Sequence, residues 1–88
     1  MGPVARAKFR CNSMTEQENM TVWDEDGKNY HQGTLYAYEF TPVTGNSPEN
    51  STFFGSTPGG KLTLTVVREK SFEVGKHYYL DFHEAAEA

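Results

Sequence analysis

The sequence predicts a mainly β protein, a small five-stranded antiparallel barrel with one short helix between strands 3 and 4. Three observations carry that expectation. Apolar and polar residues alternate along Lys61 to Arg68 (KLTLTVVR) and along Ser71 to His83 (SFEVGKHYYLDFH), the period of a strand with one buried face. Helix-start chemistry stands out at Ser47-Pro48-Glu49, where an N-cap residue precedes Pro and an acid in the first turn. In order, the segments read strand, strand, strand, short helix, strand, strand.

Residues 1 to 3 read as a loose arm. From Val4 to Met14, small or apolar Ala5, Ala7, Phe9 and Cys11 alternate with basic Arg6, Lys8 and Arg10, which makes the first strand. The polar run Thr15 to Asn19 reads as a turn, and Met20 to Trp23 as a short second strand ending at the tight-turn signal Asp26-Gly27. Tyr30 to Gly33 is expected to carry the turn onward. Thr34 to Val43 (TLYAYEFTPV) is the third strand, with Tyr36, Tyr38 and Phe40 on one face and Leu35, Ala37 and Glu39 on the other. Both faces are partly apolar, so the strand is placed centrally, and Pro42 ends it by removing a ladder donor.

The helix begins at Ser47 and is stopped by Gly55 after about two turns, leaving Phe53 and Phe54 to plug one end of a barrel or sheet. Thr57-Pro58-Gly59-Gly60 is a turn. In the fourth strand Leu62, Leu64 and Val66 face in while Thr63 and Thr65 face out. In the last strand, after a turn at Val74-Gly75-Lys76, Tyr78, Leu80 and Phe82 face in, opposite His77, Tyr79, Asp81 and His83. Residues 84 to 88 form an acidic tail. The order matches the OB-fold; a small β-sandwich or an SH3-like barrel with an inserted helical turn fits nearly as well.

A length of 88 residues is one domain, 1–88, burying only about 60–65% of its unfolded surface. That leaves little room for an enclosed active site. At 36% hydrophobic and 23% charged residues the chain lies clear of the disordered class. The net charge of −4 argues against a general duplex-DNA binder, although Arg6, Lys8 and Arg10 form a local basic stripe. The single cysteine, Cys11, excludes an internal disulfide and a multi-cysteine zinc site, and its phase with Ala7 and Phe9 makes it a buried thiol. No apolar run is long enough to span a bilayer and the N-terminus lacks a signal-peptide core, so a reducing cytoplasm and no membrane partner are expected. The glycosylation-like triplets at Asn19 and Asn50 then carry no meaning.

Motifs of catalysis are wanting. There is no nucleophile elbow, P-loop or dinucleotide fingerprint, and the acidic run Asp24-Glu25-Asp26 lacks the offsets of a calcium loop. Asp81 and His83, two apart on a strand, lie about 6–7 Å from each other and are close enough to share an ion, but His77 is too far along the strand to join them. No enzyme activity, catalytic residue, metal or cofactor is expected. What remains is surface chemistry: Arg6, Lys8 and Arg10 beside outward Trp23, Tyr30 and Tyr79 resemble a basic track with stacking aromatics, the means by which OB barrels hold single strands. The same aromatics suit a protein interface.

The segments ARAKFRCNS, SPENSTFFGSTPGGKLTL and FEVGKHYYLDF resemble a group of small proteins encoded by tailed bacteriophages and prophages. The resemblance spans nearly the whole chain and is weakest over Trp23 to Gln32. It implies a viral origin and a place in the host bacterial cytoplasm or in the virion, and it brings no catalytic or ligand residues. The leading expectation is therefore a non-catalytic accessory module that binds protein, as a capsid decoration or head component or by self-association. A single-stranded nucleic-acid binder is the alternative, and an inhibitor of a host enzyme a third.

Overall fold

The computed structural model describes residues 5–45 and 47–86. Four strands and one helix follow in the order β1 (Ala5–Trp23), β2 (Tyr30–Pro42), α1 (Pro48–Phe54), β3 (Leu62–Val66) and β4 (His77–Phe82). They make one antiparallel sheet in the order β3-β2-β1-β4. The fold is mainly β with one short helix, as expected, but the sheet is open and has four strands, not five closed into a barrel.

The strand count changes at Thr15–Asn19. These residues are not a turn: Thr15 pairs with Ala37, Glu16 with Tyr36 and Gln17 with Leu35, so the expected first and second strands are one strand of 19 residues. Polar residues can extend here because β4 pairs with β1 only as far as Arg10, which leaves this part of β1 at an edge, and beyond Gln17 β1 and β2 run on as a two-stranded arm that no other strand of the described residues flanks. The break is absorbed as a bulge between Gln17 and Met20, where Asn19 takes φ 57°, a conformation Asn tolerates better than most residues. Tyr30 to Gly33, expected to be turn, is the first part of β2 for the same reason. Gly33 fits there sterically. A Cβ on it would lie 3.1 Å from Cγ2 of Val22, which is buried across the arm.

Apart from a second register shift between Cys11 and Ser13, the pairing elsewhere follows the alternation. Tyr36, Tyr38 and Phe40 pair with Val66, Leu64 and Leu62, while Ala7 and Phe9 pair with Leu80 and Tyr78. Together they form one apolar face around buried Cys11, Tyr38 and Phe40. The expected last strand is shorter than Ser71–His83: its first half is loop, ended by a turn in which Lys76 N–H donates to Glu73 C=O and Gly75 adopts φ 95°. That loop supplies the only lid visible on the apolar face among the described residues, Phe72, whose ring meets Tyr38, Phe40 and Tyr78 edge to face at 5.1–5.3 Å. Phe82 was expected to face the core but is 53% exposed, because it lies past the reach of Phe72 at the end of the sheet.

The helix is where its start signals put it. Ser47 Oγ accepts from Asn50 N–H, Pro48 opens the first turn, and Gly55 closes it in the left-handed region at φ 66°. There is no barrel for Phe53 and Phe54 to plug, and in place of closing the end of the sheet they pack edge to face on each other, with Phe53 46% exposed. The helix is held on β1 by Asn50, which is 1% exposed. Its Oδ1 accepts from Lys8 N–H at 2.6 Å, and its Nδ2 donates to Lys8 C=O at 2.7 Å and Val43 C=O at 2.8 Å. Since β2 ends at Pro42, opposite Phe9, this amide stands in for the strand that would otherwise pair with Lys8.

The molecule is thin, with extents of 44 × 34 × 17 Å and a radius of gyration of 15.9 Å. A compact domain of this length would have about 12 Å. The arm accounts for the length, and a single sheet with a partial cover for the thinness. The loose arm at residues 1–3 and the end of the acidic tail, 87–88, lie outside the described residues; 84–86 are exposed and belong to no helix or strand.

Candidate binding surface

Of the six candidate surface residues, the fold brings Arg6, Lys8 and Tyr79 together and sends the others elsewhere. Lys8 pairs with Tyr79 and Arg6 with Asp81 across β1 and β4, so period-two alternation puts all four on the face opposite the core. The Arg6 guanidinium carbon lies 5.0 Å and Lys8 Nζ 5.5 Å from the Tyr79 ring centroid, in cation–π range. Arg6 also donates through Nε and Nη2 to both carboxylate oxygens of Asp81, at 2.6 and 2.8 Å. The Tyr79 hydroxyl donates to Glu49 Oε1 at 2.9 Å, tying this cluster to the helix start.

The electrostatic consequence is a balanced patch, not a free basic stripe. The hydrogen bonds from Arg6 hold the Asp81 carboxyl below the usual carboxylate range, and Asp81 in turn raises Arg6. Glu49 is lowered as well, by its own backbone N–H first and then by the Tyr79 hydroxyl. Both carboxylates therefore favour the fold above the ordinary carboxylate pKa, and that contribution is lost as pH falls through their depressed folded-state values, below about pH 4. An NMR titration should place the Asp81 carboxyl below the ordinary aspartate value, and Arg6→Gln should return it upward. An Asp81 resonance that titrates normally and ignores the substitution would contradict the bidentate pair.

Arg10 leaves the cluster by donating through Nη1 to Asn12 Oδ1 at 2.8 Å, while Asn12 Nδ2 reaches Thr41 Oγ1. Trp23 and Tyr30 are paired at the far end of the arm, rings 5.3 Å apart and edge to face, 61% and 63% exposed. Beside them His31 Nδ1 and Asp24 Oδ1 are 2.7 Å apart. One continuous track running from the basic residues to these two aromatics is thus ruled out by the length of β1.

Asp81, considered with His83 as a metal pair, gives both oxygens to Arg6, and no group of three or more His, Cys, Asp or Glu side chains converges among the described residues. Cys11 is fully buried and burial pushes its thiol pKa up. No helix of the described residues is long and apolar enough to cross a membrane.

Two features escape sequence reasoning. The first is the incomplete cover of the apolar face, which Phe72 shields only in part. A groove of about 240 Å³ remains between Phe40, Leu62, Leu64, Phe72, Tyr78 and Leu80. The second is the arm, whose tip carries the two most exposed large aromatics. The alternation in β3 and β4 is a signal for the face itself, but nothing local says how completely it is covered.

The fold and this surface together define an open-sheet β module with a projecting two-stranded arm. Compared with known proteins, the chain matches no family model, no curated protein and no solved structure.

Proposed function

We propose that this protein is a non-catalytic accessory module that works by protein–protein contact, through the apolar sheet face and the tip of the arm. The observation that carries the reading is the amount of large apolar surface left open in so small a chain: Trp23, Tyr30 and Phe82 are each more than half exposed, and the groove beside Phe72 is lined by apolar side chains. Aromatic residues are enriched at interfaces, and docking on a partner stabilises a small fold by mass action. On the resemblance to small tailed-bacteriophage proteins, the partner is a capsid or head component, with the host cytoplasm as the place of synthesis.

Co-sedimentation with assembled capsids of the parent phage tests this. The wild-type chain is expected to pellet with capsids, and Trp23→Ala with Tyr30→Ala to weaken binding tenfold or more, as loss of an aromatic hot spot does. A wild-type chain that stays in the supernatant and is missing from virions overturns the capsid reading. Single-strand binding retains one supporting feature, the exposed Tyr79 ring beneath Arg6 and Lys8; the carboxylates of Asp81 and Glu49 at the same ring oppose it. If single strands were bound there, affinity would fall with salt at a shallow slope of about two ions.

A further inference from the structure

The sheet has two edges, and they differ. On one side, β4 carries ionisable His77 and Asp81 on its exposed face. On the other, β3 (LTLTV) pairs with β2 alone and holds no charge, no proline and no bulge. Natural edges are usually protected by such devices, because a bare row of backbone donors and acceptors is a template for another strand.

The sequence of this bare edge is a palindrome in side-chain class about Leu64. In an antiparallel pairing of two β3 strands centred on Leu64, Leu64 faces its own copy, Leu62 faces Val66, and Thr63 faces Thr65. The first two pairs fall on the apolar face and the third on the polar face, so every position meets its own kind. A pairing centred on Thr63 or Thr65 keeps fewer of these matches, leaving Val66 opposite Gly60 or Leu62 opposite Arg68, and one centred between two residues would set Leu against Thr. Lys61, just before the strand, is already engaged with Glu39 Oε1 at 3.3 Å within its own chain and opposes Val67 of the other copy, so no like charges meet. The exposed state of Thr63 and Thr65 leaves the edge open to approach.

We propose that β3 is a self-association edge: two copies pair antiparallel through β3, centred on Leu64, to form a twofold dimer with one continuous sheet. The twofold axis makes the interface isologous, and it sets the two grooves beside Leu62 and Leu64 next to each other, doubling the apolar face. This goes beyond the contact reading above and does not depend on a capsid.

Analytical ultracentrifugation of the full chain across a concentration series tests it, with charge-swapped variants as the register probe. The wild type is expected to move from 9.9 kDa toward twice that mass as concentration rises. Thr63→Lys with Thr65→Lys puts like charges opposite each other in both pairs and should raise the dimer dissociation constant about tenfold or more. Thr63→Glu with Thr65→Glu should do the same. Mixing the two variants should restore a dimer, of mixed composition, because each Lys then faces a Glu. Unchanged far-UV circular dichroism of the variants confirms that the sheet is intact. A wild type that remains at 9.9 kDa throughout, or a dimer indifferent to all four substitutions, overturns the proposal. Neither result touches capsid binding, which the arm variants report separately.

Discussion

Replacing Asn50 by Ala is expected to destabilise the protein by roughly 2–4 kcal/mol, since a buried donor or acceptor left without a partner costs about 1–3 kcal/mol. The amide makes three bonds to main chain of β1 and of the segment after β2. Truncation orphans Lys8 N–H and Val43 C=O, whereas Lys8 C=O keeps its bond from Val43 N–H at 2.9 Å. A loss of that size is a large part of the roughly 5–15 kcal/mol that holds a typical domain together. Asn50→Asp sharpens the test. Aspartate preserves the acceptor for Lys8 N–H but replaces the donor by a second oxygen facing the two carbonyls, so it should be no better than Ala at neutral pH. Urea unfolding by circular dichroism measures both. A change below about 0.5 kcal/mol for either, the range of ordinary surface substitutions, would show that the helix is not held by this residue.

Phe72→Ala is expected to cost about 3 kcal/mol and to lower the melting temperature by more than 10 °C, since Phe→Ala changes in cores cost about 3–5 kcal/mol and each kcal/mol moves a domain of this size by about 4–8 °C. The ring is only half-buried, which places the expectation at the low end. Its effect is concentrated by position: it contacts Tyr38, Phe40 and Tyr78 at once, and its loop is tied down beside it by Glu73 N–H donating to the Tyr78 hydroxyl at 2.8 Å. Removing it uncovers the apolar face, so binding of a hydrophobic dye should rise while the sheet's far-UV signal persists below the transition. Phe53→Ala is the control. That ring packs only on Phe54 among the aromatic pairs seen and is 46% exposed, and its loss should shift the transition far less. Equal effects for the two would mean that Phe72 is no lid.

Local chemistry was legible where it acts over a few residues. The N-cap Ser47, Pro48 and Gly55 define a helix by hydrogen bonds and backbone angles within one or two turns, and the helix lies where they put it. The faces of β2 and β3 were legible too, because alternation is fixed by the pleat itself: Tyr38 and Phe40 are buried and Thr63 and Thr65 are exposed. Burial of Cys11 followed from its phase with Ala7.

The errors arose where the answer depends on a distant partner. A polar run such as Thr15–Asn19 suits a turn or an exposed arm equally, and only pairing with Gly33 to Ala37 selects the arm. The same choice removed a strand and with it the barrel. For the candidate surface, the sequence indicated Arg6, Lys8 and Tyr79 as outward residues but not that Asp81 and Glu49 would neutralise them, since those carboxylates arrive from β4 and α1. Nor did it indicate Asn50, which sits in no periodic segment, or that Phe72, expected in the last strand, would lie in a loop and fold over the sheet face.

By itself, then, the sequence determined a mainly β chain with a short capped helix and the division of its strands into apolar and polar faces, because these follow from dihedral preferences and side-chain period. Only the tertiary structure decided that the sheet stays open, that an amide replaces a missing strand, and that one ring partly covers the core. Those outcomes depend on which backbone groups and rings meet across long loops, and no local preference encodes that.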